Sequence, residues 1–405
     1  MKIWRSRTIN EVHSEEKSQV ILGSLVLLLF AGILFMRSFY SFSWSDESLY
    51  MAEVHRLYLG ERPFVDEWHP TQFYAVLLLP FYRVYVWIKG TTEGIYFASR
   101  IFNLLLAFMA AESTYYVLKK YFELENWLSV AGGTIILLYS RANVGGISYH
   151  NFFFFCFIIA EMLLYIGLQC HRAKKNSLVF VVLSGISGAV GGAAMIAIPT
   201  CVFGIGIIYI AIIIYAIKTK TIKKFTPIWI HIAGILLLGT MYCIFVFSKI
   251  TFIDFINMFQ YLFMDESHQR KGIVDVMNNV WWVVIFYGKN ILVVAGLLFI
   301  MKIILRLFHK AMDEKLKAVA YVIVVMIGTL SLYQLSDSHM SAYVIFAFTG
   351  IGLLIIDESI TKNILFTGSD INYFLIIPAL VIALTFILAS ATIDPAYGGG
   401  TFGAG

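Results

Sequence analysis

Two adjacent-acid pairs stand about twenty residues apart early in the chain, Asp46-Glu47 and Asp66-Glu67, and the second leads into His69-Pro70. A carboxylate held at a membrane edge, half out of water, has a raised pKa and can accept a proton from an incoming hydroxyl. Asp46 is the sharpest candidate for that work. It follows a long apolar run by a few residues, which ties it to a helix rather than to a free loop. It equally fits a first-turn acid of a helix that starts after Ser45. Glu47 would not share a helical face with Asp46 and is assigned to the acceptor or to support of the site. Asp66 and Glu67, with His69, admit three readings: a second catalytic or metal-binding carboxylate, an ordinary acidic loop, or a turn before Pro70. Asp46 and Glu67 are the carboxylates that would hold a divalent metal, which the sequence allows without requiring.

The same reasoning picks out cations. Arg100 opens an apolar run, where it either snorkels or offers a positive group to an anionic headgroup. His339, two residues after Asp337, has the same two readings. Arg270-Lys271 is a basic pair in a polar stretch that also holds Asp265, Glu266 and His268, and Arg141 and His150 bracket the short segment RANVGGISYHN. Ionisable groups at mid-span would mark a translocation path; groups gathered at one end mark a reaction or binding site at the lipid–water boundary. No nucleophile elbow, HExxH, Walker loop or CxxC spacing occurs. Cys156, Cys170, Cys201 and Cys243 lie in or at the ends of apolar runs and read as packing residues.

The elements that must position these residues are hydrophobic spans. The chain has 405 residues, 60% hydrophobic and 14% charged, with mean hydropathy +0.80. A soluble globule carries about 25% charged residues. The class is therefore an all-α polytopic membrane protein. The net charge of +5 is spread over short clusters between apolar runs, as helix-connecting loops require, so no nucleic-acid partner is expected.

Expected spans are 19–42, 96–118, 127–140, 152–170, 178–197, 199–217, 227–248, 280–301, 317–334, 341–356 and 372–392, about eleven in all (ten to thirteen). Residues 1–18 are polar and basic, and the run that follows reads as a retained signal anchor with the N-terminus in the cytoplasm. The segment 72–88 decides the topology. If it does not cross, the basic clusters at Lys119-Lys120, Arg172–Lys175, Lys218–Lys224 and Lys302–Lys317 all fall inside. Pro80, Arg83 and Lys89 interrupt it, and Tyr74, Tyr82, Tyr85 and Trp87 suit a headgroup belt, so it is expected to lie along the outer interface or to re-enter. The acid pairs then share an extracytoplasmic first loop, 43–95, and every candidate residue above lies on that face. The chain divides into a cytoplasmic N-terminus (1–18), a first transmembrane module (19–248), an outer loop (249–279), C-terminal transmembrane helices (280–392) and a glycine-rich tail (393–405) expected to be disordered. The glycine-rich run 185–206 reads as close helix packing with a turn at Pro199.

From Asp46 onward the chain resembles the GT-C class of integral-membrane glycosyltransferases, within it the protein O-mannosyltransferase and aminoarabinose-transferase branch. An acid follows the first span, in SDESLYMAEVHRLYLGERPFVDEWHP; Gly60 and Pro63 follow; a second acid precedes a basic-Pro element, Glu67-Trp68-His69-Pro70; and GTTEGIYFASR ends at Arg100. The resemblance covers roughly residues 19–200. It implies a GT-C-like fold with interfacial helices in the first outer loop, a plasma-membrane location and a polyprenyl-phosphate-linked sugar as donor. It implies Asp46 as the base, Glu67 or Asp66 as a second acid that orients acceptor or metal, and His69 near the donor phosphate, with inversion at the anomeric carbon. Thr71 stands where the family has a second proline, and Tyr149-His150-Asn151 where many relatives carry Asp.

The expected activity is transfer of a sugar from that donor to a glycan, lipid or protein acceptor, with Arg100, His339 and Arg270 as the phosphate-binding cations. Glu47, Arg141, His150 and Asp337 are expected around the acceptor. A lipid-linked sugar phosphate carries its own leaving group, so no nucleotide site is needed. Two other readings stand beside this one. A polysaccharide polymerase or ligase would place its chemistry in a late outer loop, and a lipid-linked sugar transporter or flippase would use mid-span carboxylates, for which Glu112 and Glu161 are available.

Overall fold

The computed structural model of the chain describes residues 9–40, 46–67, 72–139, 145–174, 177–199, 201–218, 220, 222–258, 273–307, 319–320, 323 and 339–362. Every regular element among them is helical. The helices are α1 (Ile9–Arg37), α2 (Asp46–Leu59), α3 (Gln72–Lys89), α4 (Ile95–Lys120), α5 (Asn126–Leu138), α6 (Tyr149–Arg172), α7 (Ser177–Ala197), α8 (Cys201–Lys218), α9 (Thr226–Phe247), α10 (Phe252–Met258), α11 (Ile273–Leu307) and α12 (His339–Thr361), with a 3-10 turn at Ile222–Phe225. Five described stretches are long and apolar enough to cross a membrane: Ser18–Arg37, Ile95–Lys120, Tyr149–Arg172, Leu178–Ala197 and Ile222–Phe247. Shorter apolar helices cover Asn126–Leu138, Ile205–Lys218 and Leu292–Ile304. The expected span 372–392 and the tail 393–405 lie outside the described residues, as does nearly all of 317–334.

The helices share two ends. At one end the Tyr115 hydroxyl lies 3.0 Å from Asn126 Oδ1 and 3.1 Å from the Gln19 carbonyl oxygen, which brings together α1, α4 and α5. The Glu125 N–H donates to Glu358 (3.1 Å), which places the far end of α12 there too. His171 Nε2 meets the Lys223 carbonyl oxygen at 3.1 Å, joining α6 to the turn before α9. This is the end rich in lysine. At the other end the C-terminus of α1, the N-termini of α2, α4 and α6, and the C-terminus of α9 converge.

α3 lies along that second end. Near its start, the Tyr74 hydroxyl donates to the Ile147 carbonyl (2.6 Å), ahead of α6, and the Tyr242 hydroxyl of α9 donates to the Phe73 carbonyl (3.2 Å). Near its finish, the Tyr85 hydroxyl donates to the Glu93 carbonyl, just ahead of α4, and Phe81 stacks on Phe102 with centroids 4.8 Å apart. Its inner face, Tyr74, Ala75, Leu78, Leu79 and Tyr82, is buried, while Trp87 is 82% exposed beside Val84 and Ile88. Alternation of this kind gives a helix one face for the bundle and one for its surroundings.

Inside the bundle α7 and α9 approach backbone to backbone. A Cβ on Gly234 would lie 2.7 Å from the Gly185 carbonyl oxygen, so no larger residue fits there without separating the helices. A hydrogen-bonded chain crosses four helices nearby. Ser187 donates its one hydroxyl proton to the Ala160 carbonyl (2.6 Å). His231 Nδ1, 2.7 Å from the Ser187 oxygen, must therefore be the protonated nitrogen and donate. Nε2 is then free to accept from the Tyr209 hydroxyl at 2.5 Å. Each polar atom is satisfied and the imidazole is neutral, as an apolar interior demands.

Because both ends of α3 lie at one end of the bundle, single cysteines at Arg62 and Thr92, in a Cys243→Ser background that removes the exposed native thiol, should react with a membrane-impermeant maleimide from the same side. A cysteine at Lys120 should react only from the other. Opposite labelling of positions 62 and 92 would mean that α3 crosses.

Candidate functional site

The residues that organise the acid-bearing end are Glu47 and Arg100, distant by 53 positions in the chain. Asp46 is the first residue of α2. One position on, the Glu47 carboxylate accepts two parallel hydrogen bonds from Arg100, Nε to Oε1 at 2.7 Å and Nη2 to Oε2 at 2.8 Å. The remaining Arg100 nitrogen, Nη1, donates to the Ser38 carbonyl at the end of α1 (2.8 Å). The side chains are 2% and 10% exposed, so this is a desolvated pair. Bidentate geometry and the third bond to Ser38 supply what such a pair needs to exist out of water.

The segment before α6 closes over it. A Cβ on Gly146 would lie 2.7 Å from Glu47 Oε1 and 3.0 Å from Ser99 Oγ, so glycine is required for the backbone to come this near. Asn103 Nδ2 donates to the Gly145 carbonyl (3.3 Å). Ser148 caps α6 by accepting from the Asn151 N–H (3.1 Å). Tyr50 of α2 packs edge-on against Tyr74 (6.1 Å between centroids) and Tyr149 (5.7 Å). Burial, with Tyr50 and Glu53 nearby, pushes the Tyr74 phenol well above its ordinary value, so it stays a neutral donor to Ile147. His150, behind Tyr149, is half-buried.

The second acid pair has a different setting at the far end of α2. Arg62 holds Asp66 through Nη2 at 2.7 Å and Nε at 3.0 Å, and the Arg62 N–H adds a third bond at 2.7 Å. The Arg62 side chain and backbone hold the Asp66 carboxyl below the usual carboxylate range. Glu67 contacts the Arg56 guanidinium, which also holds Glu61 at 2.6 Å. Gln72 ties the loop to α3, accepting from the Phe64 N–H (2.6 Å) and donating to the Glu67 carbonyl (2.7 Å). Phe64 sits at φ 65°, a left-handed conformation which those bonds and its ring contacts, tilted on Phe73 and edge-on to Phe255, hold in place. Both acids are therefore tied into local ion pairs.

About 15 Å of helix lies between Asp46, at the start of α2, and Arg56, the partner of Glu67. Among the described residues no group of three or more His, Cys, Asp or Glu is arranged to hold a metal. His339 is the first residue of α12. His69, Arg141, Arg270 and Asp337 lie outside the described residues. The sequence reading of Arg100 offered snorkelling or a headgroup contact; here it is bonded to Glu47. Arg56, Gln72 and Gly146 were not singled out from sequence, and Tyr74 only as a ring suited to a headgroup belt. Only Arg56 carried a local signal, an arginine with acids five and eleven residues on. No protein-family model, curated protein or solved structure matches the chain.

Removing one member of the Glu47–Arg100 pair leaves the other charged and buried. Glu47→Gln or Arg100→Met should each destabilise the protein by about 3–5 kcal/mol, read as loss of thermal stability in detergent. The double variant Glu47→Leu/Arg100→Met should be more stable than either single change. Strictly additive losses would show that the two are not coupled.

The Asp66–Arg62 bonds should respond to acid alone. The folded-state value of Asp66 is the lower one, so its contribution is complete above the ordinary aspartate value of about 3.9 and is lost as the pH falls through the folded-state value. Amide protection across 61–67, taken as the intrinsic exchange rate at each pH divided by the observed rate, should hold steady between about pH 8 and pH 5 and fall only in stronger acid. A fall already near neutrality would contradict the assignment.

Proposed function

We propose that the protein is a GT-C-like membrane glycosyltransferase with about eleven spans, acting at the extracytoplasmic face of a plasma membrane. The donor is a polyprenyl-phosphate-linked sugar and the acceptor a hydroxyl on a glycan, lipid or protein. The observation that carries this reading is the position of Asp46. It opens a helix whose N-terminus is fixed, one residue later, by a buried ion pair to α4 at the end where α1, α4 and α6 meet. A base whose backbone is held this firmly meets the positional demand of general-base catalysis.

In the proposed step the acceptor oxygen attacks the anomeric carbon. The bond from that carbon to the phosphate oxygen breaks and the polyprenyl phosphate leaves with the electron pair. The acceptor proton passes to Asp46, and attack opposite the leaving group inverts the configuration. With Arg100 committed to Glu47, neutralising the phosphate falls to His69, His339 and Arg270. Trp87, Val84 and Ile88 on the outer face of α3 offer an apolar surface for isoprenoid near the same end.

A transporter of lipid-linked sugar is the second reading, favoured by Glu161, which is buried midway along α6. Transfer and transport separate in one assay with reconstituted protein, labelled donor and acceptor. Asp46→Asn should lower sugar transfer by about 100-fold or more while thermal stability stays near that of the wild type. Undiminished transfer would remove Asp46 from the mechanism. Donor that crosses the bilayer unchanged would favour transport.

A further inference from the structure

The lysine-rich end carries a cluster whose charge no carboxylate among the described residues answers. From Met162 to Ile253 the sequence has no Asp or Glu, yet it holds Arg172, Lys174, Lys175, Lys218, Lys220, Lys223, Lys224 and Lys249. Lys218, Lys220, Lys223 and Lys224 are exposed, and none has a carboxylate partner among the described residues. Other lysines at this end are engaged. Lys302 pairs with Asp357 (2.7 Å) and Lys362 with Glu358 (2.8 Å). Lys119 donates to the Leu124 carbonyl (3.4 Å), and Lys120 lies over the Tyr116 ring at 5.6 Å.

Its backbone is held in place. The Lys223 carbonyl oxygen accepts from Thr226 Oγ1 (2.9 Å) and meets His171 Nε2 (3.1 Å), and the Trp229 indole N–H donates to the Ile222 carbonyl (3.1 Å). Ile217, Lys220, Ile222, Lys223 and Lys224 line a groove between the end of α8 and the 3-10 turn. From that groove an exposed apolar stripe runs up α8 through Ile217, Ile214, Ile210 and Ile207, spaced by three and four residues and so on one face.

We propose that this groove binds an anionic phospholipid, the phosphate among Lys220, Lys223 and Lys224 and an acyl chain along the isoleucine stripe of α8. Clustered exposed ammonium groups attract an anion, and an exposed apolar stripe attracts hydrocarbon; a lipid with a net negative headgroup supplies both. A free phosphate would leave the stripe unused, and an acidic protein would have no cause to follow it up the helix. This inference is independent of the proposed transferase activity, which concerns the opposite end of the bundle.

The test uses the full chain purified in detergent, native mass spectrometry, and phosphatidylglycerol and phosphatidylcholine with identical acyl chains. Phosphatidylglycerol should be retained in preference by about tenfold or more, each lysine contributing about fivefold. Lys223→Gln/Lys224→Gln should abolish most of that preference. Lys119→Gln/Lys120→Gln, the same change of charge at the same end, should keep it. Equal retention of the two lipids, or equal loss in both variants, would overturn the proposal. So would displacement of the lipid by inorganic phosphate or by a poly-glutamate peptide, which would assign the surface to a free anion or to an acidic partner. If the lysine variant does not purify, the unmodified protein decides: raising salt from about 0.1 to about 0.5 M should erase the preference, and its persistence would refute the site.

Discussion

The buried pair of Glu47 and Arg100 is the constraint on which the acid-bearing end depends. A guanidinium and a carboxylate taken out of water carry a desolvation cost that their attraction offsets only with good geometry and with every remaining donor satisfied. Two parallel bonds and a third to the Ser38 carbonyl meet that demand. The consequence is positional. One interaction joins the end of α1, the start of α2 and the start of α4, and Gly146 lets the approach to α6 close over it. Asp46 has its backbone placed by its neighbour's bond.

The rest of the first loop is built by weaker means that add up. Exposed pairs such as Asp66–Arg62 contribute little each, and it is their combination with the Gln72 bonds and the Phe64, Phe73 and Phe255 cluster that gives the loop one shape. α3 then lies across the bundle end, its buried tyrosines bonded inward to Ile147 and toward His55 and its tryptophan outward. The two ends of the molecule thus differ in kind. One carries compensated, buried charge; the other carries lysines, some answered within the chain and some not.

Much of this architecture was legible in the sequence, because hydropathy is additive along a helix and needs no partner. The apolar runs mark α1, α4, α6, α7 and α9, and the proline, arginine and ring-bearing residues of 72–88 distinguish α3 from them. The pairing of Glu47 with Arg100 was not legible, since 53 residues of chain carry no periodicity that links them. Arg100 looked like a cation awaiting a ligand because its counter-charge comes from another helix. Glu67 hid its partner for a related reason: Arg56 meets it only once the loop has turned back on α2, whereas Arg62 pairs with Asp66 locally, four residues apart. Charge read along a sequence overstates how much of it is available.

We propose that the end fixed by Glu47 and Arg100 receives a polyprenyl-phosphate sugar. The most direct measurement is native mass spectrometry of the purified full chain after incubation with a synthetic donor of that class and with the matching neutral polyprenol. The expected result is a stoichiometric adduct of the phosphate-bearing lipid, or of its sugar ester, and none of the alcohol. Retention of bulk phospholipid alone, with the donor excluded at every concentration, would contradict it.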